Sequence, residues 1–95
     1  MTDKEAYLQK MRAKLDEWDA DINALQAKLS GASADAQIEL NKQIDNLRSE
    51  RNDMKQKYED LKSASEEAWE DVRDGIEAAW GRVADSFKHA VNRFK

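Results

Sequence analysis

His89 is the only imidazole in the chain, so a general base or a nitrogen metal ligand would have to be built around it. At 3.6 residues per helical turn it lies about 200° from Trp69, on the polar side. Asp85 at i−4 is its one carboxylate neighbour in helical register, and the pattern reads as a solvated histidine. A di-iron site in a helical bundle needs Glu-x-x-His motifs on facing helices, and none occurs. Glu66, Glu67, Glu70, Asp71, Asp74 and Glu77 form an acidic cluster that could attract divalent cations. It lacks the glycine-centred spacing of a calcium loop, and reads as a solvated face near a helix start. Ser63, Ser65 and Ser86 have no base–acid pair in register, so nucleophilic catalysis has no support. Gly75 and Gly81 are six apart, which makes neither GxxxG nor a phosphate loop and points to close helix approach or a slight bend. Trp18, Trp69 and Trp80 could stack on bases, but no dense basic groove accompanies them. Burial in a core or interface fits them better.

Composition narrows the function further. The chain has 95 residues, no cysteine, no proline, three glycines and a net charge of −4. Absence of cysteine excludes disulfides, thiolate zinc sites, iron–sulfur clusters and thiol nucleophiles. The acidic balance argues against duplex DNA, and no nucleic-acid partner is expected. The longest charge-free runs are six residues, such as Leu29 to Ala34, too short for a helix to cross a bilayer. Met1-Thr2-Asp3-Lys4-Glu5 holds no apolar stretch, so a cytosolic protein is expected.

The elements follow from spacing. Ala, Glu, Asp, Lys, Leu and Gln dominate, and no segment alternates with period two, so helices are expected throughout. Leu8, Met11, Leu15, Trp18, Ile22, Leu25 and Leu29 follow one another at spacings of 3 and 4. Such a heptad keeps one narrow apolar seam facing a partner helix. Thr2 and Glu5 read as a capping box that starts this helix. The phase is lost after Leu29, and Ser30-Gly31-Ala32-Ser33 is the best break in the chain. Gly31 can adopt a left-handed C-terminal cap and Ser33 can cap the next helix.

A weaker seam runs through Leu40, Ile44, Leu47, Met54, Tyr58 and Leu61, with Gln37 and Arg51 at polar seam positions. Arg51 is read as snorkelling over its aliphatic stem rather than fixing register. Ser63 and Glu66 form a second capping-box pattern. Residues 64–81 carry a net −5 and residues 82–95 a net +3, the polarity a helix dipole favours. Yet this region holds no proline, and its first glycine is Gly75, so one helix from 34 to 94, about 90 Å long, fits equally well. The expected layout is a single domain, 1–95, with helices over 3–30, 34–62 and 65–94. Its breaks fall at 30–33 and, where the second helix does not run on, at 62–65.

The last third contains an 11-residue repeat. Ala68-Trp69-x-x-Val72-x-Asp74-x-Ile76 recurs as Ala79-Trp80-x-x-Val83-x-Asp85-x-Phe87, with a short third copy, Ala90-Val91-x-x-Phe94. Eleven residues over three turns hold an apolar stripe nearly straight. Trp69, Val72, Ile76, Trp80, Val83, Phe87, Val91 and Phe94 fall within about 100° of arc, the width of a core-facing stripe. Exposing eight such side chains is costly at about 1.5–3 kcal/mol each. A third helix folding back, a second protomer or a membrane must cover them. The repeat resembles the amphipathic pattern of exchangeable apolipoproteins, which implies a lipid-facing use. Glu66, Glu70 and Glu77 beside the stripe would give anionic lipid a mixed surface.

Three stretches carry a wider resemblance: Lys4-Glu5-Ala6-Tyr7 with Lys14-Leu15-Asp16-Glu17-Trp18; Ser33-Ala34-Asp35-Ala36; and Ala68-Trp69-Glu70-Asp71-Val72 with Ala79-Trp80 and Arg93-Phe94-Lys95. Together they resemble a family of small bacterial coiled-coil proteins labelled as stress-response proteins. That resemblance implies a cytosolic, non-enzymatic helical protein. The expectation is an all-α fold, an antiparallel coiled-coil hairpin or a three-helix bundle, forming a homo-oligomer. Its interface is expected to be the heptad seam and the Trp/Phe stripe, without a cofactor. The alternative is a peripheral protein that opens its C-terminal stripe onto a membrane surface.

Overall fold

The computed structural model describes residues 2–94. Three helices make an all-α bundle: α1 (Asp3–Ala27), α2 (Ala34–Ser63) and α3 (Trp69–Arg93). A single 3-10 turn over Leu29–Gly31 joins the first two. At 1.5 Å per residue α2 spans about 45 Å, and it sets the long axis of a molecule measuring 52 × 21 × 18 Å.

The order is up, down, up. Lys4, near the start of α1, donates to the Ala64 carbonyl just past the end of α2. Arg93, ending α3, pairs with Glu39 near the start of α2 at 3.2 Å. Tyr7 on α1 donates to Glu77 Oε1 on α3 at 3.0 Å, so these two helices run parallel. Charge placement agrees with that direction. The basic first half of α1 (Lys4, Lys10, Arg12, Lys14) runs beside the acidic start of α3, and its acidic second half beside the basic end. An inverted α3 would bring like charges together.

Caps explain the boundaries. Thr2 Oγ1 accepts from Glu5 N at 3.1 Å and starts α1. Regular helix ends at Ala27, three residues before the expected Ser30, and tightens into the 3-10 turn. Gly31 does not adopt the expected left-handed conformation: no described residue has a positive φ. The orphan carbonyls are met from downstream instead. Gln37 Nε2 donates to Leu29 O at 2.9 Å and Ala32 O at 3.3 Å, tying the end of one helix to the start of the next. Ser33 Oγ caps α2 through Ala36 N.

The second break is present as well, so residues 34–94 are not one helix. Ser63 lies inside α2, and the expected Ser63–Glu66 box is not the cap. Ser65 serves two residues later, its Oγ accepting from Ala68 N at 3.2 Å and its carbonyl from Trp69 N at 3.0 Å. The helical path of α3 therefore begins at Ser65, and regular helix runs from Trp69.

The core is one continuous cluster. α1 contributes Met11, Leu15, Trp18, Ile22 and Leu25; α2 contributes Leu40, Ile44, Leu47, Met54 and Leu61; α3 contributes Trp69, Ile76, Ala79, Val83, Phe87 and Ala90. No polar side chain is buried among the described residues. Ile38 is the one large exposed apolar side chain among them.

Candidate functional site

The residues singled out from spacing meet at the junction of α1 and α3. Trp18 is 1% exposed. Its ring stacks on Phe87 at 5.0 Å with 12° between planes, and sits 5.5 Å from Trp80, tilted by 47°. Offset stacking and tilted pairing are the arrangements that aromatic quadrupoles favour. Lys14 Nζ lies 6.0 Å from the Trp18 ring centroid and shields its outer edge. At the bundle ends Arg73 covers Trp69 at 5.1 Å and Arg93 covers Phe94 at 5.7 Å.

Of the fifteen positions expected at an interface, Met11, Leu15, Trp18, Ile22, Leu25, Trp69, Ile76, Val83 and Phe87 are buried. Leu8, Leu29, Val72, Trp80 and Phe94 are partly buried and pack on the core. Val91 is half-exposed on the rim of a cleft. The buried face of α3 is rotated from the expected stripe, towards Ala79 and Ala90 and away from Trp80 and Val91. These alanines carry too little surface to register as stripe positions, yet both are buried. Of the three ways to cover the stripe, the chain uses the first: its own helices fold over it.

A cleft of about 360 Å³ runs along the α1–α3 junction, rimmed by Lys14, Glu17, Asp21, Asp85 and Lys88. Both charge signs line it, so it concentrates no single field. Desolvation, with Glu17 nearby, pushes the Asp21 carboxyl above its ordinary range, and Lys14 works in the opposite direction.

Tyr7 is the other perturbed group. Burial first, then its hydrogen bond to Glu77 and that carboxylate's charge, push the phenol up to about 12 from an ordinary 10; Arg73 opposes this. The neutral phenol is therefore favoured in the folded state. Its contribution to stability is full below about pH 10 and is lost as pH rises towards about 12. Subtracting the melting profile of Tyr7→Phe from that of the wild type isolates this window. The wild-type advantage should shrink between pH 10 and 12, and a constant difference would contradict the Tyr7–Glu77 bond.

Arg51 does not simply snorkel. Its Nη2 donates to Asp19 Oδ2 at 2.8 Å, and its Nε lies 2.7 Å from Oδ1, though poorly aligned for a hydrogen bond. This two-point pair joins the middle of α1 to the middle of α2, so the polar seam position does fix register. Sequence reasoning missed it because the partner lies 32 residues away. Between α2 and α3, Ser86 Oγ donates to Glu50 Oε1 at 3.3 Å.

The residues first considered for chemistry do not converge. His89 is exposed. The acidic cluster of α3 is spread along a solvated face, and no group of three or more His, Asp or Glu residues among those described could hold a metal ion. Ser65 and Ser86 act in capping and helix pairing. Gly75 and Gly81 are exposed, and a Cβ at either would meet nothing within 4 Å, so close approach does not explain them.

The arrangement defines an up-down-up three-helix bundle closed by an aromatic junction. No protein-family model, characterised protein or solved structure matches this chain.

Proposed function

We propose that this protein is a non-enzymatic helical interaction protein of the cytoplasm, stress-associated as its sequence resemblance implies, and that it acts by helix packing and self-association. One observation supports this most directly. The chain's three tryptophans and two phenylalanines pack on the core or at its edge, and the clefts between helices are rimmed by charges of both signs. Aromatic surface committed to helix packing suits a protein that works through helix exchange and docking rather than turnover. The α3 helix is the working element. It hangs on the short segment 64–68 and carries the most pronounced apolar face of the three helices.

A second reading has one observation in its favour. That face presents Trp69, Trp80 and Phe87 with Lys88 and Arg93 near the basic end, a combination suited to the interface of an anionic membrane once α3 leaves the bundle. No described helix is long and apolar enough to cross a membrane. Light-scattering mass on a sizing column, with and without anionic vesicles, tests both readings. A mass that rises with protein concentration and ignores vesicles supports self-association. A monomer that moves to the vesicle fraction, with its tryptophan emission changed, overturns it in favour of lipid binding.

A further inference from the structure

Resting on the self-association reading, we propose that two copies of this chain dimerise by exchanging α3, with α2 and α3 straightening into one helix of about 90 Å.

The first observation is phase. Projected as one continuous helix at 3.6 residues per turn, the buried residues of α2 and α3 all fall within about 100° of arc. These are Leu40, Ile44, Leu47, Met54 and Leu61, followed by Trp69, Ile76, Ala79, Val83, Phe87 and Ala90. A break that merely reversed the chain would leave the two phases unrelated. Here the two apolar faces share one phase across the reversal; between Leu61 and Trp69 the arc holds the exposed Lys62 and Ser65, with Ala68 just outside its edge. Glu66 and Glu67 fall outside it, towards solvent.

The second observation is the segment itself. Residues 64–68, Ala-Ser-Glu-Glu-Ala, contain neither glycine nor proline and no positive φ. Ala64 turns the chain with φ −69° and ψ 144°. The reversal is held by the Ser65 cap and by Lys4 reaching the Ala64 carbonyl. A straight helix through these residues needs no left-handed or otherwise disfavoured backbone.

The third is that exchange preserves the contacts. α3 already runs antiparallel to α2, through Glu50–Ser86 and Glu39–Arg93. In the dimer each of these pairs forms between chains, and two long helices lie antiparallel about a two-fold axis near residue 67. Each α1 keeps its place, with Trp18 meeting the partner's Trp80 and the partner's Phe87. Core burial is the same in both states, so hinge geometry and protein concentration decide between them.

Two substitutions push the hinge in opposite directions. Glu66→Pro places proline at the first position after the Ser65 cap, where a helix start accepts it, but breaks a helix running through 62–66. Ser65→Ala removes the cap of the reversal and adds a good helix former. Each protein is refolded from denaturant at high concentration, and its mass is read by light scattering. The wild type should give a dimer fraction that returns slowly to monomer on dilution. Ser65→Ala removes one cap from each of the two monomers that form a dimer, so it should raise the dimer association constant about 25-fold, about fivefold per chain, and Glu66→Pro should abolish the dimer while keeping a folded monomer by circular dichroism. Spin labels on Gln56→Cys and Arg82→Cys, across the α2–α3 cleft, supply the geometry. In dimers formed with excess unlabelled protein the two labels should move to about 39 Å apart, 26 residues of continuous helix. A dimer that survives Glu66→Pro, with the labels still close, overturns exchange while leaving self-association standing. A wild type and Ser65→Ala that both stay monomeric overturn both.

Discussion

Trp18→Ala is expected to lower stability by about 3–5 kcal/mol, the cost of deleting a fully buried indole and leaving a cavity. A domain of this size holds about 5–15 kcal/mol in total, so the variant should melt roughly 15–30 °C below the wild type. The effect is concentrated here because Trp18 is the one α1 side chain that touches both Phe87 and Trp80 as ring partners. Its removal strips the α1–α3 junction of both aromatic contacts at once. Trp80→Ala is the matched comparison: Trp80 is only partly buried, so less apolar surface returns to water and the loss should be clearly smaller. Thermal melts followed by far-UV circular dichroism decide the matter. Equal losses for the two variants would mean that the buried ring is not Trp18.

The opposite sign is expected for Gly75→Ala combined with Gly81→Ala. Both glycines lie inside α3, exposed, with nothing within 4 Å of an added Cβ. Glycine in a helix interior costs about 0.5–1 kcal/mol relative to alanine, through the freedom it retains when unfolded. The two sites share no partner, so the gains should add to about 1–2 kcal/mol, or roughly 5–10 °C in Tm. A fall in Tm would mean that the glycines serve a close contact after all. Both residues also make α3 the helix with the weakest intrinsic preference for its own conformation in its middle turns.

Much of this architecture is legible in the sequence. A strict 3-4 spacing from Leu8 to Leu29 can be satisfied by only one helical face, and that face holds the buried residues of α1. The eleven-residue repeat gave the α3 face but not its centre, because Ala79 and Ala90 are small and Trp80 and Val91 are large. Side-chain size misleads where a small residue sits at the centre of the buried face. Local hydrogen bonds were legible where donor and acceptor are three residues apart, as at Thr2 and Ser33. At the second break the capping-box pattern points to Ser63, and the chain uses Ser65, two residues on. Contacts that depend on the return path of the chain were not legible. Gln37 closing the first turn, Arg51 finding Asp19 and Tyr7 finding Glu77 each need to know which helix comes back beside which. The acidic cluster and His89 read as solvated from their helical positions, and the fold does leave them exposed.

Two indoles at 5.5 Å and 47° also make the molecule its own optical gauge. Indole transitions that close couple with each other, and the coupling falls away once α1 and α3 part. Backbone ellipticity follows helix content alone, whereas this aromatic couplet follows the distance between two particular helices. An opened bundle with intact helices would therefore keep its far-UV amplitude and lose its chiral aromatic signal, and melting would remove both. Re-pairing of α1 with a partner's α3 would bring the couplet back in full. One cuvette, with no label attached, separates a chain that has come apart from one that has changed companions.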